Sequence, residues 1–112
     1  MTLLEQISLS PNTIAFSEVI AYIDANFNFT PTRFTNGNTV NEAGQNNGSC
    51  KIFSFAKLQN LTPSETLILF GDFYRKDVLE NPDGSDHQNI RNFMYTGWEG
   101  IKFEGEALEK KE

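Results

Sequence analysis

The chain has 112 residues and a formal net charge of −6 at pH 7, from fifteen acidic and nine basic residues. This length suits a single domain over residues 1–112 whose core needs neither disulfides nor a structural metal. The acidic balance argues against a broad phosphate-neutralising surface, so non-specific nucleic-acid binding is disfavoured. A small anion could still bind in a local basic pocket, because net charge describes only the far field.

Cysteine usage and hydropathy indicate a reducing compartment. Cys50 is the single cysteine, so no intrachain disulfide can form, and we expect the protein to be cytoplasmic. No apolar run reaches the ~18 residues that a membrane span needs. The first ten residues also lack a basic, then apolar, leader pattern, so neither Sec export nor membrane insertion is expected.

The first part of the chain predicts two helices and a long loop. Thr2–Glu5 matches a capping box and predicts a short helix. The stripe of a helix packed on a core follows at Phe16, Val19, Ile20, Ile23 and Phe27. The next segment, Thr30–Gly48, is rich in Asn, Thr and Gly and predicts a long polar loop held against the surface, with a short extended piece near Phe29–Thr35.

Three further helix starts are predicted. Ser49 is a candidate cap that places Cys50 in the first turn. Thr62–Glu65 combines a capping box with a proline at the first position, and that helix is expected to continue through Tyr74. Ser85 or Asp86 is expected to cap a last helix, with His87 in its first turn and Gly97 at its end.

The end of the chain predicts one strand and a frayed tail. Ile101 and Phe103 alternate with polar residues and are expected to pair with the Phe29–Thr35 segment. Residues 106–112 form a charged tail that is expected to fray at its end. The sequence therefore predicts an α+β fold, predominantly α-helical, with four or five short helices, a small β-sheet and a long polar loop.

Several unusual strings occur in one order along nearly the whole chain. They are Asn28–Gly37, Asn41–Gly44, Gly48–Phe53, Phe70–Gly71 with Tyr74–Leu79, Asp86–Met94 and Gly97–Trp98. Together they resemble the HopJ type III effector family, over about Thr13 to Leu108. That resemblance implies relatedness to a bacterial plant-pathogen protein delivered into host cells by type III secretion. It implies no defined reaction, and similar proteins occur in other bacteria.

One candidate chemistry is nucleophilic. A thiol at a helix start beside Lys51 is expected to favour the thiolate, so Cys50 is a candidate nucleophile. The single histidine, His87, is the candidate base, with Asp86 orienting its ring. The alternative is structural, with Cys50 a small core residue and His87 bonded to its own helix or a loop.

A second candidate chemistry is anion binding. Arg33, Arg75 and Arg91 are planar donors that a pocket could use, together with the backbone N–H groups at the Ser49 helix start. Ordinary ion pairs with nearby aspartates explain the arginines equally well. The single histidine and its neighbouring aspartates fall short of a closed metal site, so no metal or cofactor is expected.

Most phenylalanines lie on predicted helical faces and are assigned to the core, whereas Trp98, between two glycines, is expected to line a pocket. The first functional hypothesis is therefore a small binding or interaction module whose partner is a protein or a small anionic ligand. The alternative is a Cys-His hydrolase or acyl-transfer enzyme that uses Cys50 and His87.

Overall fold

A computed structural model describes residues 2–111 and confirms the α+β fold. The α-helices of this part of the chain are α1 (Leu3–Leu9), α2 (Phe16–Asn26), α3 (Asn47–Leu58), α4 (Pro63–Ile68) and α5 (Gln88–Thr96). Short 3₁₀ turns span Pro11–Thr13 and Gly97–Gly100, and a π-helical turn spans Phe73–Val78.

Five short strands form two small antiparallel sheets within residues 2–111. They are β1 (Phe27–Phe29), β2 (Phe34–Asn36), β3 (Thr39–Asn41), β4 (Ile101–Phe103) and β5 (Leu108–Lys110). One sheet pairs β1 with β5, and the other has the order β3-β2-β4. Phe34 lies opposite Phe103, so the predicted pairing of the last alternating segment is confirmed at its Phe34 end.

Both predicted capping boxes and the predicted glycine stop are confirmed. Thr2 and Glu5 exchange both hydrogen bonds of a capping box at α1. Thr62 and Glu65 do the same at α4, where Pro63 occupies the first turn. Gly97 ends α5 with φ 57°, a left-handed value that glycine adopts without steric cost.

One prediction about the two irregular segments is wrong in part. The polar loop contains the β2–β3 hairpin, and its Phe34 side chain is fully buried. The charged tail is held as far as Lys111, because β5 pairs with β1 and the Lys111 N–H donates to the Asn26 carbonyl. The predicted fraying of its end falls on Glu112, which lies outside the described residues. Ala107 and Leu108 are buried, and the burial of these two apolar side chains stabilises the docked tail.

The predicted helix through Tyr74 is also wrong, because α4 ends at Ile68 and the chain turns at Gly71 with φ +60°. A Cβ at Gly71 would lie 2.8 Å from the backbone nitrogen of Phe16. Glycine is therefore required here by conformation and by close approach of two backbones. The π-helical turn follows this break.

Phenylalanine rings form much of the core, as the composition predicts. The Phe53 ring is fully buried and lies within 6.4 Å, centroid to centroid, of the rings of Phe34, Phe70, Phe93 and Trp98. These edge-on and tilted contacts join α3, α5 and β2 around one centre.

A buried asparagine network joins the hairpin to the two helices beside it. Asn41 and Asn89 exchange two amide hydrogen bonds, of 3.0 and 3.1 Å. The Asn36 amide donates to both the backbone and side-chain oxygens of Asn89, and Asn46 donates to Asn41 Oδ1 at 2.6 Å. Asn92 donates to the Asn36 carbonyl. Because buried amides are costly when unpaired, this network fixes how the hairpin sits on α3 and α5.

Replacing Asn41 by alanine tests the weight of this network. Asn41 is 1% exposed, and its loss leaves amide groups of Asn89 and Asn46 without their partner. We expect the free energy of unfolding in urea to fall by about 2–4 kcal/mol. The matched Asn38→Ala change, at an exposed position of the same hairpin, should shift it by no more than about 0.5 kcal/mol. Equal effects of the two substitutions would contradict the structural role of the network.

Candidate functional site

Two helix starts lie side by side, and both depart from the predicted caps. The residue that precedes α3 is Asn46, and the one that precedes α5 is His87. Each has φ 51°, a left-handed conformation that is uncommon outside glycine but enriched for asparagine and histidine. Ser49 therefore does not cap α3, and neither Ser85 nor Asp86 caps α5. His87 lies before the first turn of α5 rather than inside it.

Neither start is closed by a side chain. The first backbone N–H groups to be bonded are those of Cys50 in α3 and of Ile90 in α5. Within residues 2–111, no partner accepts from the N–H groups of the residues before them, Asn47–Ser49 and Gln88–Asn89. Free N–H groups and the positive end of the helix dipole together favour negative charge.

Both first turns line one cleft of about 350 Å³. Its apolar wall is made by Phe16, Phe70 and Phe73. The polar residues that line it are Thr39, Asn46, Ser49, His87, Gln88 and Asn89. The asparagine network reaches this surface through Asn46 and Asn89, so the same hydrogen bonds that hold the hairpin also set the spacing of the two helix starts.

The imidazole of His87 is held at the rim of this cleft by acidic and aromatic neighbours. His87 Nε2 lies 3.1 Å from Asp77 Oδ2 and 3.8 Å from Asp86 Oδ2. The ring centroid lies 5.1 Å from that of Phe73. The sequence correctly places Asp86 near His87, but Asp77 is the closer partner and sequence reasoning did not assign it that role.

The thiol of Cys50 lies outside the cleft that His87 lines. Cys50 is 1% exposed, it does not line the cleft, and its Sγ lies 3.7 Å from the Thr32 carbonyl oxygen. Burial raises the pKa of the Cys50 thiol, so the expectation of a favoured thiolate is wrong. Lys51 does not assist, because its ammonium pairs with Asp24 at 2.8 Å.

The candidate anion-binding arginines are dispersed among separate structural contacts. Arg33 pairs with two glutamates, one on each side of β2, and these contacts raise its pKa. Arg75 donates to the Pro11 and Ile14 carbonyls and pairs with Asp72, and it faces a different cavity from the α3–α5 cleft. The structure therefore does not bring Arg33 and Arg75 together in one pocket.

Arg91 is buried and organises the loop before α5. Its guanidinium donates to the Asn81 and Asp86 carbonyls and pairs with the Asp86 carboxylate at 2.6 Å. This contact keeps the pKa of Asp86 below its usual value. Arg91 and Asp86 thus fix the segment that precedes His87, and His87 follows it in a left-handed conformation.

Trp98 lines a small cavity of about 300 Å³ with Leu61 and Ile101. Its indole N–H donates to the Leu61 carbonyl at 2.9 Å, and its ring packs edge-on against Phe93. The side chain therefore also anchors the 3₁₀ turn after α5 to the core.

The described residues offer neither a metal site nor a membrane-spanning helix. Among residues 2–111, no cluster of three His, Cys, Asp or Glu residues could hold a metal ion. No helix in this part of the chain has the length and apolarity needed to cross a membrane.

The residues that sequence reasoning missed are Asn46 and the aromatic wall. Asn46 precedes a glycine and a serine at a loop-to-helix junction, and asparagine tolerates the left-handed conformation needed there. Phe16 was assigned to the core, yet its ring packs over Gly48, where a Cβ would lie 2.8 Å from Phe16 Cζ. Gly48, a glycine in the first turn of a helix, is the sequence feature that could have indicated this close approach.

Comparison with known proteins defines the class of this α+β domain. Residues 1–108 match the family model described as HopJ type III effector protein. The chain therefore belongs to the HopJ type III effector family, as its motifs indicate. A similar solved structure is described as the crystal structure of unknown function protein VPA0580. It is 55% identical, with a TM-score of 0.95, and the match covers 99% of this chain and 95% of that one. No curated protein sequence matches the chain.

The burial of Cys50 predicts slow alkylation. We expect iodoacetamide to modify the folded protein on the order of 100-fold more slowly than the urea-unfolded chain at the same pH, because the sulfur must first be exposed. The rate should be followed by mass spectrometry from pH 6 to pH 10. Rapid modification of the folded protein below pH 8 would contradict this placement.

The Arg91–Asp86 pair predicts a pH-dependent contribution to stability. A carboxyl with a lowered pKa stabilises the fold above its unfolded value of 3.8 and loses that contribution as pH falls through its folded pKa. Urea unfolding of wild type and Asp86→Asn should therefore differ above about pH 5, and the difference should shrink as the pH falls through the folded pKa of Asp86. The control is Asp83→Asn, at an exposed aspartate of the same loop. A difference between wild type and Asp86→Asn that persists unchanged at pH 2 would contradict the assignment.

Proposed function

We propose that this HopJ-type domain is a binding module, and that the cleft between α3 and α5 takes a small anionic ligand with an apolar body. The observation that carries the proposal is the convergence of two uncapped helix starts on one cleft. Each start offers free N–H groups, and a bound anion would satisfy donors that the protein itself leaves open.

The shape of the cleft supports an apolar body on the ligand. A volume of about 350 Å³ is at the small end of the range for ligand pockets. Phe73 is 40% exposed, and its ring stands between Phe16 and His87. A planar ring stacked there would cover apolar surface while its anionic group faces the two helix starts.

The local charges are compatible with an anion despite the acidic chain. The two carboxylates nearest His87 are both engaged, Asp77 with the imidazole and Asp86 with Arg91. Neither aspartate lines the cleft. The field at short range is therefore set mainly by backbone N–H groups and the imidazole edge rather than by the net charge of −6.

The enzymatic alternative lacks its two requirements. A Cys-His mechanism needs an accessible thiolate and a base that reaches it. Cys50 is buried with a raised pKa, and it is absent from the cleft that His87 lines. We therefore favour binding, in a cytosol that keeps this thiol reduced, whether in the bacterium or in a host cell reached by the type III delivery that the family is named for.

Calorimetric titration with phenyl phosphate and inorganic phosphate tests this function. We expect phenyl phosphate to bind saturably and more tightly than inorganic phosphate, because its ring contacts the aromatic wall. Ser49→Asp should weaken binding by about tenfold or more, since its carboxylate competes for the α3 N–H groups while still suiting a helix start.

The matched control is Ser17→Asp, which adds the same charge to the first turn of α2 outside the lining of the cleft. It should leave the dissociation constant within about twofold of the wild-type value. Absence of saturable binding by wild type, or equal losses in the two variants, would overturn the proposed function.

A further inference from the structure

A second recess lies between the end of α3 and the β4–β5 connection. It has a volume of about 460 Å³ and shares no lining residue with the α3–α5 cleft. We call it the Ser54 groove, and the residues used below are Ser54, Lys57, Leu58, Phe103, Glu106 and Leu108.

The hydroxyl of Ser54 is buried in the wall of the groove, beside the Cys50 thiol. Ser54 is 8% exposed, and its Oγ has no hydrogen-bond partner within residues 2–111. It lies close enough to Cys50 to favour the thiolate slightly, but outside hydrogen-bonding geometry, and the thiol is directed at the Thr32 carbonyl. Buried polar groups are nearly always paired, so an orphaned hydroxyl at a groove points to a missing partner.

The ammonium group of Lys57 is the second polar feature of the Ser54 groove. Lys57 lies in the last turn of α3, one residue short of the helix end. Its Nζ stands 5.8 Å from the Phe103 ring centroid. No carboxylate of the described chain lies within ion-pair distance of it, although the protein has an excess of acidic residues and Glu106 lines the same groove.

The remaining surface of the groove is apolar. Leu58 is 54% exposed, and Phe103 is partly buried on the adjoining strand. Leu108 lies at the start of β5 and is buried. An apolar group seated here would cover Leu58 and Phe103, which the fold leaves partly in water.

We propose that the Ser54 groove binds a small monocarboxylic acid with an apolar body. The carboxylate pairs with the Lys57 ammonium and accepts from the Ser54 hydroxyl, and the apolar body lies on Leu58 and Phe103. The Ser54 oxygen is covered in the free protein, so a rotamer change of this short side chain accompanies binding. The inference is independent of the proposed function of the α3–α5 cleft.

Two sources share this chemistry, a simple acid and an apolar amino acid. Glu106 separates them, because its carboxylate could hold the ammonium of an amino acid at the rim. The probes are therefore 3-phenylpropanoate, L-phenylalanine and the uncharged 3-phenylpropanamide. We expect at least one of the two acids to bind saturably by calorimetry, and to bind about tenfold or more tightly than the amide.

Substitutions in the groove complete the test. Lys57→Met retains the apolar stem and removes the charge, so it should weaken binding of the acid by about tenfold or more. Ser54→Ala should also weaken binding, yet leave the melting temperature of the free protein unchanged or raised, because no hydrogen bond is lost. Lys102→Met, at an exposed lysine on β4 outside the groove, should bind as wild type.

The outcomes distinguish the two sites and the two sources. If the ligand is an amino acid, phenylalanine should bind more tightly than phenylpropanoate, and Glu106→Gln should abolish this preference. If phenylpropanoate binds more tightly, the ligand is a simple acid. Ser49→Asp should leave either affinity unchanged, so failure in the cleft does not imply failure here. No saturable binding of either acid, equal binding of the amide, or unchanged affinity in Lys57→Met would overturn the proposal.

Discussion

The amide pair between Asn41 and Asn89 is the interaction on which the rest of this structure depends. It ties a three-residue strand of the β2–β3 hairpin to the start of α5, and Asn46 extends it to the start of α3. A hairpin of this length is marginal by itself, so side-chain amides supply much of its fixed position. The proximity of the two helix starts, and hence the cleft, follows from these hydrogen bonds.

Features governed by local chemistry could be predicted from the sequence. The capping boxes at Thr2 and Thr62 and the glycine stop at Gly97 were recognisable because each depends on residues within one helical turn. The asparagine network was not, because Asn36 and Asn89 are 53 positions apart and polar residues in a glycine-rich segment predict a loop. The break at Gly71 likewise arises from a distant backbone, that of Phe16.

For the candidate site residues too, the sequence indicated the type of side chain but not its place in the fold. Residue type indicated which side chains could do chemistry, but the fold assigns most of them to structural contacts. Arg75 and Arg91 satisfy backbone carbonyls, and Cys50 fills the core. The groups that the described chain leaves unpaired are largely backbone at two helix starts, together with the buried Ser54 hydroxyl and the Lys57 ammonium. The sequence indicated the backbone donors near Ser49 together with the arginines, but it did not indicate the start of α5, because backbone N–H groups carry no residue-type signal.

The central claim is that two helix starts held together by asparagines form one anion-binding cleft, and an amide-resolved NMR titration tests it most directly. During addition of phenyl phosphate to the ¹⁵N-labelled protein, the N–H resonances of Gly48, Ser49, Gln88 and Asn89 should shift together. All four should fit one dissociation constant. Shifts confined to one helix start, or to residues outside the cleft while these four resonances stay fixed, would contradict the account.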